Sequence, residues 1–252
     1  MLKNLKIILN DIKNSYLSKF SRLIPIISGF IIVFFIRSIL AIFDTAFVGN
    51  EYSLQKFIFI GSTTLLILGL EIGFLKFIFN VEDKKNPPVG SIFNYFNLLG
   101  QYISGLLLFY LLLLIGFVPG SLFLYSKYNM EVFTLIYNSI GDPYFQELIS
   151  SYFDLSDLFI FFIVVIIPAF YISIRLSLWS YFVIDKGYNG YMAIKSSLLL
   201  TRTKGLELIF YFSLLLIFNF LGILSLIGIF ITIPLTYLFL CKYYRLLCHQ
   251  LS

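Results

Sequence analysis

Six long apolar runs, with almost every lysine and arginine on the same side of them, constrain this 252-residue chain more than any other feature. Lipid offers no partner to a backbone N–H or C=O, so a chain that crosses it must form helices or a closed barrel. The runs lack strict alternation and approach the roughly 20 residues that a helix needs to span a bilayer core. Composition agrees: 60% of residues are hydrophobic and 12% charged, against about 25% charged in soluble domains. The expected fold class is all-α, a polytopic membrane helix bundle of six transmembrane helices plus an N-terminal interfacial helix.

The spans are expected at 23–43, 57–79, 98–117, 158–181, 206–221 and 224–241, inside a membrane domain covering 23–245. Pro25, Pro168 and Pro234 fall in the first, fourth and sixth, and a kink is expected at Pro168. Val118-Pro119-Gly120 should end the third span, because proline followed by glycine does not continue a regular helix. The last apolar stretch, Leu206–Cys241, would reach about 54 Å as one helix, against a hydrocarbon core of about 30 Å. Two spans joined by a tight turn fit, with Asn219, Gly222 and Gly228 supplying the break. Residues 121–157 form an outer loop, expected to hold a short helix or cap.

Residues 1–22 read as an amphipathic helix. Leu5, Ile8, Leu9, Ile12, Tyr16 and Phe20 share one face, and Lys3, Lys6, Asn10 and Lys13 another. Such a helix lies on an anionic leaflet, or else docks on the bundle. No cleavable signal is expected, since the charged stretch before Leu23 is too long for a signal n-region.

With the N-terminus inside, the inner segments carry Lys3, Lys6, Lys13, Lys19, Arg22, Lys84, Lys85, Lys186, Lys195, Arg202, Lys204, Lys242 and Arg245. The outer segments carry Lys56 and Lys127. The positive-inside rule therefore places both termini in the cytoplasm of a bacterial inner membrane.

Ionisable groups at membrane depth are candidates for function. Arg37, Glu71 and Arg175 form the candidate intramembrane polar site. Counted at 1.5 Å per residue from each span's centre, Arg37 lies roughly 6 Å outward, Glu71 roughly 5 Å inward and Arg175 roughly 8 Å inward. Glu71 and Arg175 are thus expected to pair. Lys76, near the inner edge, is expected to snorkel to the headgroups. Gly69-x-x-x-Gly73 flanks Glu71 and allows close helix approach. A weak internal echo, Gly90 and Gly105 against Gly190 and Gly205, fits repeated halves of span, charged connection and returning span.

No catalytic, cofactor-binding or metal-binding residue is expected. The single histidine, His249, excludes a histidine-based metal cluster. No GxSxG, Walker or dinucleotide pattern occurs. Cys241 and Cys248 are expected to be free packing thiols. The expected partners are the lipid bilayer and an unidentified membrane protein, with no nucleic acid.

The run Ile167-Pro168-Ala169 to Arg175, then Val183-Ile184-Asp185-Lys186-Gly187, Ala193 to Thr201, Lys204-Gly205, and finally Gly222, Gly228, Ile233-Pro234-Leu235 and Tyr244-Arg245 resembles a bacterial six-helix integral membrane family. That family is similar to the membrane domain fused to some glycerophosphodiester phosphodiesterases. The match covers about 167–245 and, more loosely, 69–120. The catalytic barrel of the fused enzymes is absent here, so the resemblance implies a membrane module without their reaction. The first functional expectation is a non-catalytic membrane module or accessory partner. The alternative is a small transporter or channel with its polar site at the Glu71/Arg175 level.

Overall fold

The computed structural model describes residues 2–18, 20–47, 54–139, 152–225 and 227–251, together with Tyr144 and Glu147. In chain order its helices are α1 (Leu2–Ile12, continued by a π-turn over Lys13–Leu17), α2 (Phe20–Phe47), α3 (Leu54–Glu82), a 3₁₀ segment (Val89–Leu98), α4 (Leu99–Tyr128), α5 (Glu131–Ser139), α6 (Leu155–Leu176), α7 (Trp179–Lys186), α8 (Gly190–Leu200), α9 (Gly205–Leu224) and α10 (Ile229–Leu251). The described residues hold no strand. Five stretches are long and apolar enough to cross a membrane: Ser21–Phe43, Leu54–Glu82, Val89–Tyr128, Leu155–Lys186 and Gly205–Leu224. Helix α10 is apolar only in its first part, because Lys242, Arg245, His249 and Gln250 occupy the remainder.

Two compact units emerge, one of Met1–Leu106 with Leu178–Ser252 and one of Leu107–Ser177. In lipid the solvent is as apolar as leucine, so helices associate through close packing and polar links. The first unit is built that way. An added Cβ on Gly73 would lie 1.8 Å from the Ile92 carbonyl oxygen, and one on Gly69 would lie 2.2 Å from the Phe96 ring. The Gly69-x-x-x-Gly73 pattern therefore seats the 3₁₀ segment on α3. The glycines of the internal echo are not equivalent positions. Gly105 and Gly190 pack on each other, with a Cβ on Gly190 only 2.2 Å from the Gly105 nitrogen, while Gly90 and Gly205 face open space.

Helix α3 ends in a tight C-terminal hook. Lys84 takes a left-handed conformation (φ 58°), and the Lys84 and Lys85 amides donate to the Val81 and Asn80 carbonyls at 3.0 Å each. Glycine usually fills this position, since it has no Cβ penalty. Pro87-Pro88 follows and bars any continuation of the helix.

Several expected boundaries are corrected. Helix α4 runs through Val118-Pro119-Gly120 to Tyr128. Proline inside a membrane helix is tolerated where neighbours satisfy the freed groups. Gly120 serves packing, since a Cβ there would sit 2.2 Å from Val165 of α6. The stretch 158–181 falls within the candidate span Leu155–Lys186, in which α6 ends at Leu176 and α7 starts at Trp179. In the terminal stretch α9 ends at Leu224 and α10 starts at Ile229, and the Gly228 amide donates to Ser225 Oγ at 3.0 Å. Asn219 and Gly222 lie inside α9 and pack the hairpin. The Asn219 amide bonds Thr236 Oγ1 at 3.0 Å, and a Cβ on Gly222 would lie 2.2 Å from Thr232 Oγ1.

In the second unit α4 and α6 meet at Gly116 and Gly120. Leu124, Val132 and Phe153 form a small core with Tyr128 and Tyr152 around it. Asp157, near the start of α6, accepts from Lys127 and from the Tyr128 hydroxyl. The segment 121–157 thus contains the end of α4, helix α5 and the start of α6. Its residues 140–143, 145–146 and 148–151 lie outside the described residues.

The N-terminal segment is helical and packs on the first unit. Ile8, Ile12 and Tyr16 are buried, whereas Ile7, Leu9 and Leu17 are exposed. Its apolar face is therefore divided between the bundle and the surroundings. The side chain of Phe20 and the whole of Lys19 lie outside the described residues.

Candidate functional site

Two charged constellations stand in the first unit. Arg37 projects from α2 on the stripe Phe30, Phe34, Arg37, Ala41, which helical spacing brings to one face. Its Nη1 donates to Oε1 of Glu71 on α3 at 2.7 Å. Phe30 against Phe74 (ring centroids 5.9 Å) fixes the antiparallel register of the two helices. The side chains keep 47% of Arg37 and 31% of Glu71 exposed. They stand on the wall of a cleft of about 450 Å³ lined also by Phe34, Ser38, Ile233 and Tyr237. Phe230 of α10 packs edge-on against Phe34 (5.2 Å), joining α10 to the aromatic wall. Tyr237 packs edge-on against Phe74 (5.5 Å).

The structure brings Arg37 and Glu71 together. Two of the three residues of the expected polar site thus form an ion pair within the first unit. Arg175 belongs to the second unit, where it donates to the Tyr171 hydroxyl at 3.0 Å and lies over that ring. Counted from the centre of each run, Arg37 and Glu71 had fallen at different levels. The two estimates, roughly 6 Å outward and roughly 5 Å inward, straddled one level that contact now fixes.

The second constellation was not anticipated. Lys242 of α10 is almost wholly buried (6% exposed), and its Nζ donates to Glu82 at 2.5 Å and to Asp11 of α1. Tyr16 donates its hydroxyl to the other oxygen of Glu82 and sets its ring 5.2 Å from the Lys242 Nζ. One turn on, Arg245 bridges Asp83 (2.5 Å) and Asp185 (3.5 Å). Tyr244 donates to Asp185 at 3.2 Å. Lys76 donates to the Ile184 carbonyl at 2.8 Å, satisfying the last turn of α7. Farther along α1, Asn4 donates to Glu207 of α9 at 2.8 Å, and Tyr211 donates to the same carboxylate at 2.9 Å.

These contacts set the charge states. The hydrogen bond from Arg245 holds the Asp83 carboxyl below its ordinary range. Burial pushes Asp11 up, but the hydrogen bond and charge of Lys242 outweigh it and leave the carboxyl lowered. Burial and the Glu82 contact raise the Tyr16 phenol, so it stays a donor.

The sequence read Lys242 and Arg245 only as inside charges. Cys241, Tyr244, Arg245 and Cys248 share a helix face, but no local spacing links Lys242 to Asp11, Tyr16 and Glu82. Both cysteines are free, Cys241 buried and Cys248 half-buried. Among the described residues no cluster of three or more metal-ligating side chains occurs. Comparison with protein families, curated proteins and solved structures finds no match to this chain.

Proposed function

We propose that this chain is a six-span bacterial inner-membrane protein without catalytic activity, serving as a membrane module or accessory partner of another membrane protein. Both termini lie in the cytoplasm. Helix α1 runs along the cytoplasmic face, and the apolar first part of α10 is the sixth span. The Lys242 network is the observation that carries this reading. It joins α1, α3 and α10 at the end where the basic residues gather, so its charges are used to clamp helices together. The division of the α1 surface supports the interfacial placement, with Ile8 and Ile12 inward and Leu9 outward. The resemblance of 167–245 to a six-helix membrane family supports a module rather than a self-contained enzyme.

Reporter fusions at Ser252 and Gly141 test the topology. A cytoplasmic Ser252 and an external Gly141 are expected, and the reverse at either site sinks the arrangement. Purification in mild detergent should recover a second membrane protein in fixed ratio. Recovery of the chain alone at full stability and activity of its host cell would remove the accessory role.

One observation favours the second reading, a small transporter or channel: the Arg37–Glu71 pair is open to a cleft. A stable Glu71→Gln protein that loses an uptake phenotype would favour transport over the module.

A further inference from the structure

An ion pair whose only task is to hold two membrane helices together should be closed off from its surroundings. Arg37–Glu71 is built differently. Its partners keep 47% and 31% of their side chains exposed, yet both sit within apolar stretches, Ser21–Phe43 and Leu54–Glu82. Arg37 lies six residues from Phe43, roughly 9 Å along the helix. A guanidinium offers five N–H donors and a carboxylate about four lone-pair sites. Among the described residues the pair uses one of each, Nη1 to Oε1. The remaining Arg37 donors and Glu71 Oε2 are left beside the cleft.

The cleft has the size of a small-ligand site, about 450 Å³, within the roughly 300–1,000 Å³ common for such pockets. Its walls are aromatic and aliphatic, from Phe30, Phe34, Ile233 and Tyr237. Adjacent plus and minus charges select against a simple ion: a lone anion meets Glu71, and a lone cation meets Arg37. A group carrying both charges satisfies both. Phosphate oxygens suit the planar donors of arginine. An ammonium suits Glu71 with the aromatic faces nearby.

We propose that the α2–α3–α10 cleft binds a zwitterionic phospholipid from the bilayer, its phosphate on Arg37 and its ammonium on Glu71. The acyl chains lie along the Phe30–Phe34 stripe. The headgroup is drawn in from the Phe43 end of α2, which the short distance from that end permits. The inference rests on the membrane placement proposed above and requires neither the module nor the transport reading.

Native mass spectrometry of the full chain, purified from vesicles of equal phosphatidylethanolamine and phosphatidylglycerol, tests it. Carbonate extraction first establishes that the chain is membrane-integral, so a failure of that placement is seen separately. The expected result is retained phosphatidylethanolamine in preference by on the order of tenfold, since charge-assisted bonds dominate such recognition. Glu71→Gln should abolish the preference while phosphatidylglycerol still binds, and Arg37→Gln should lose both. Ala41→Phe fills the cleft while keeping both charged residues, so it should lose the lipid even if Arg37→Gln does not fold. Equal retention of the two lipids by the wild type overturns the proposal, as does unchanged preference in Glu71→Gln or Ala41→Phe. Displacement of the lipid by millimolar glycerophosphoethanolamine would overturn the assignment to an intact lipid and leave the soluble headgroup as ligand.

Discussion

The two charged regions of the first unit differ in how completely their hydrogen-bonding capacity is used. At the Lys242 end, one ammonium meets two carboxylates and an aromatic ring, while Tyr16 and Ser15 donate to the second oxygens of Glu82 and Asp11. At Arg37–Glu71 a single hydrogen bond joins two half-exposed side chains beside a cleft. A satisfied network fixes a structure. A partly satisfied pair inside apolar segments leaves donors and acceptors for something else. The lesson is that charge content alone does not separate the two roles, whereas partner count does.

The largest effect should come from breaking the satisfied side. Lys242→Met leaves Glu82 and Asp11 without their cation, and removing one partner of a buried pair costs about 3–5 kcal/mol. A lower detergent melting temperature checks this, and an unchanged one would show the network to be ornamental.

Next comes the strut shared by both regions. Gly73→Ala pushes a Cβ against the Ile92 carbonyl, 1.8 Å away. Backbone must move, and overpacking of this kind costs about 1–3 kcal/mol. Gly61→Ala on the same helix meets nothing within 4 Å and should be neutral by the same assay.

The open side should respond less. Glu71→Gln and Arg37→Met should each shift stability less than Lys242→Met, since each removes one hydrogen bond rather than a network. A loss as large as that of Lys242→Met would erase the contrast between the regions.

The smallest effect is in acid. Asp83 has its carboxyl lowered from 3.8 by the Arg245 hydrogen bond. Its contribution to stability is therefore complete above that unfolded-state value and is lost as pH falls through the lower folded-state value. Asp83→Asn should remove this contribution at neutral pH and flatten the acid limb of a melting-versus-pH curve below about pH 4. An unchanged acid limb would show that Arg245 does not hold Asp83 in solution.

The helical membrane character was legible because it depends on run length and composition, which need no partner. The breaks were less so. Pro119-Gly120 reads as a stop in a soluble chain, but here the glycine admits Val165 and the helix continues. Asn219 and Gly222 read as turn residues, yet they face Thr236 and Thr232 across the α9–α10 hairpin. Arg37 and Glu71 were recognised as candidates from burial cost alone. Their partnership was not, because it depends on the relative height of two helices, which is set by contacts such as Phe30–Phe74. The Lys242 network was hidden for the opposite reason. Its members come from residues 11, 16, 82 and 242, and no local pattern links them.

The contrast itself is tested most directly by two parallel double-mutant cycles in one detergent, Lys242→Met with Glu82→Gln and Arg37→Met with Glu71→Gln. Contacting residues couple by about 0.5–3 kcal/mol. The account predicts coupling toward the upper end for Lys242–Glu82 and toward the lower end for Arg37–Glu71. Equal coupling in the two cycles, or the reverse order, would contradict it.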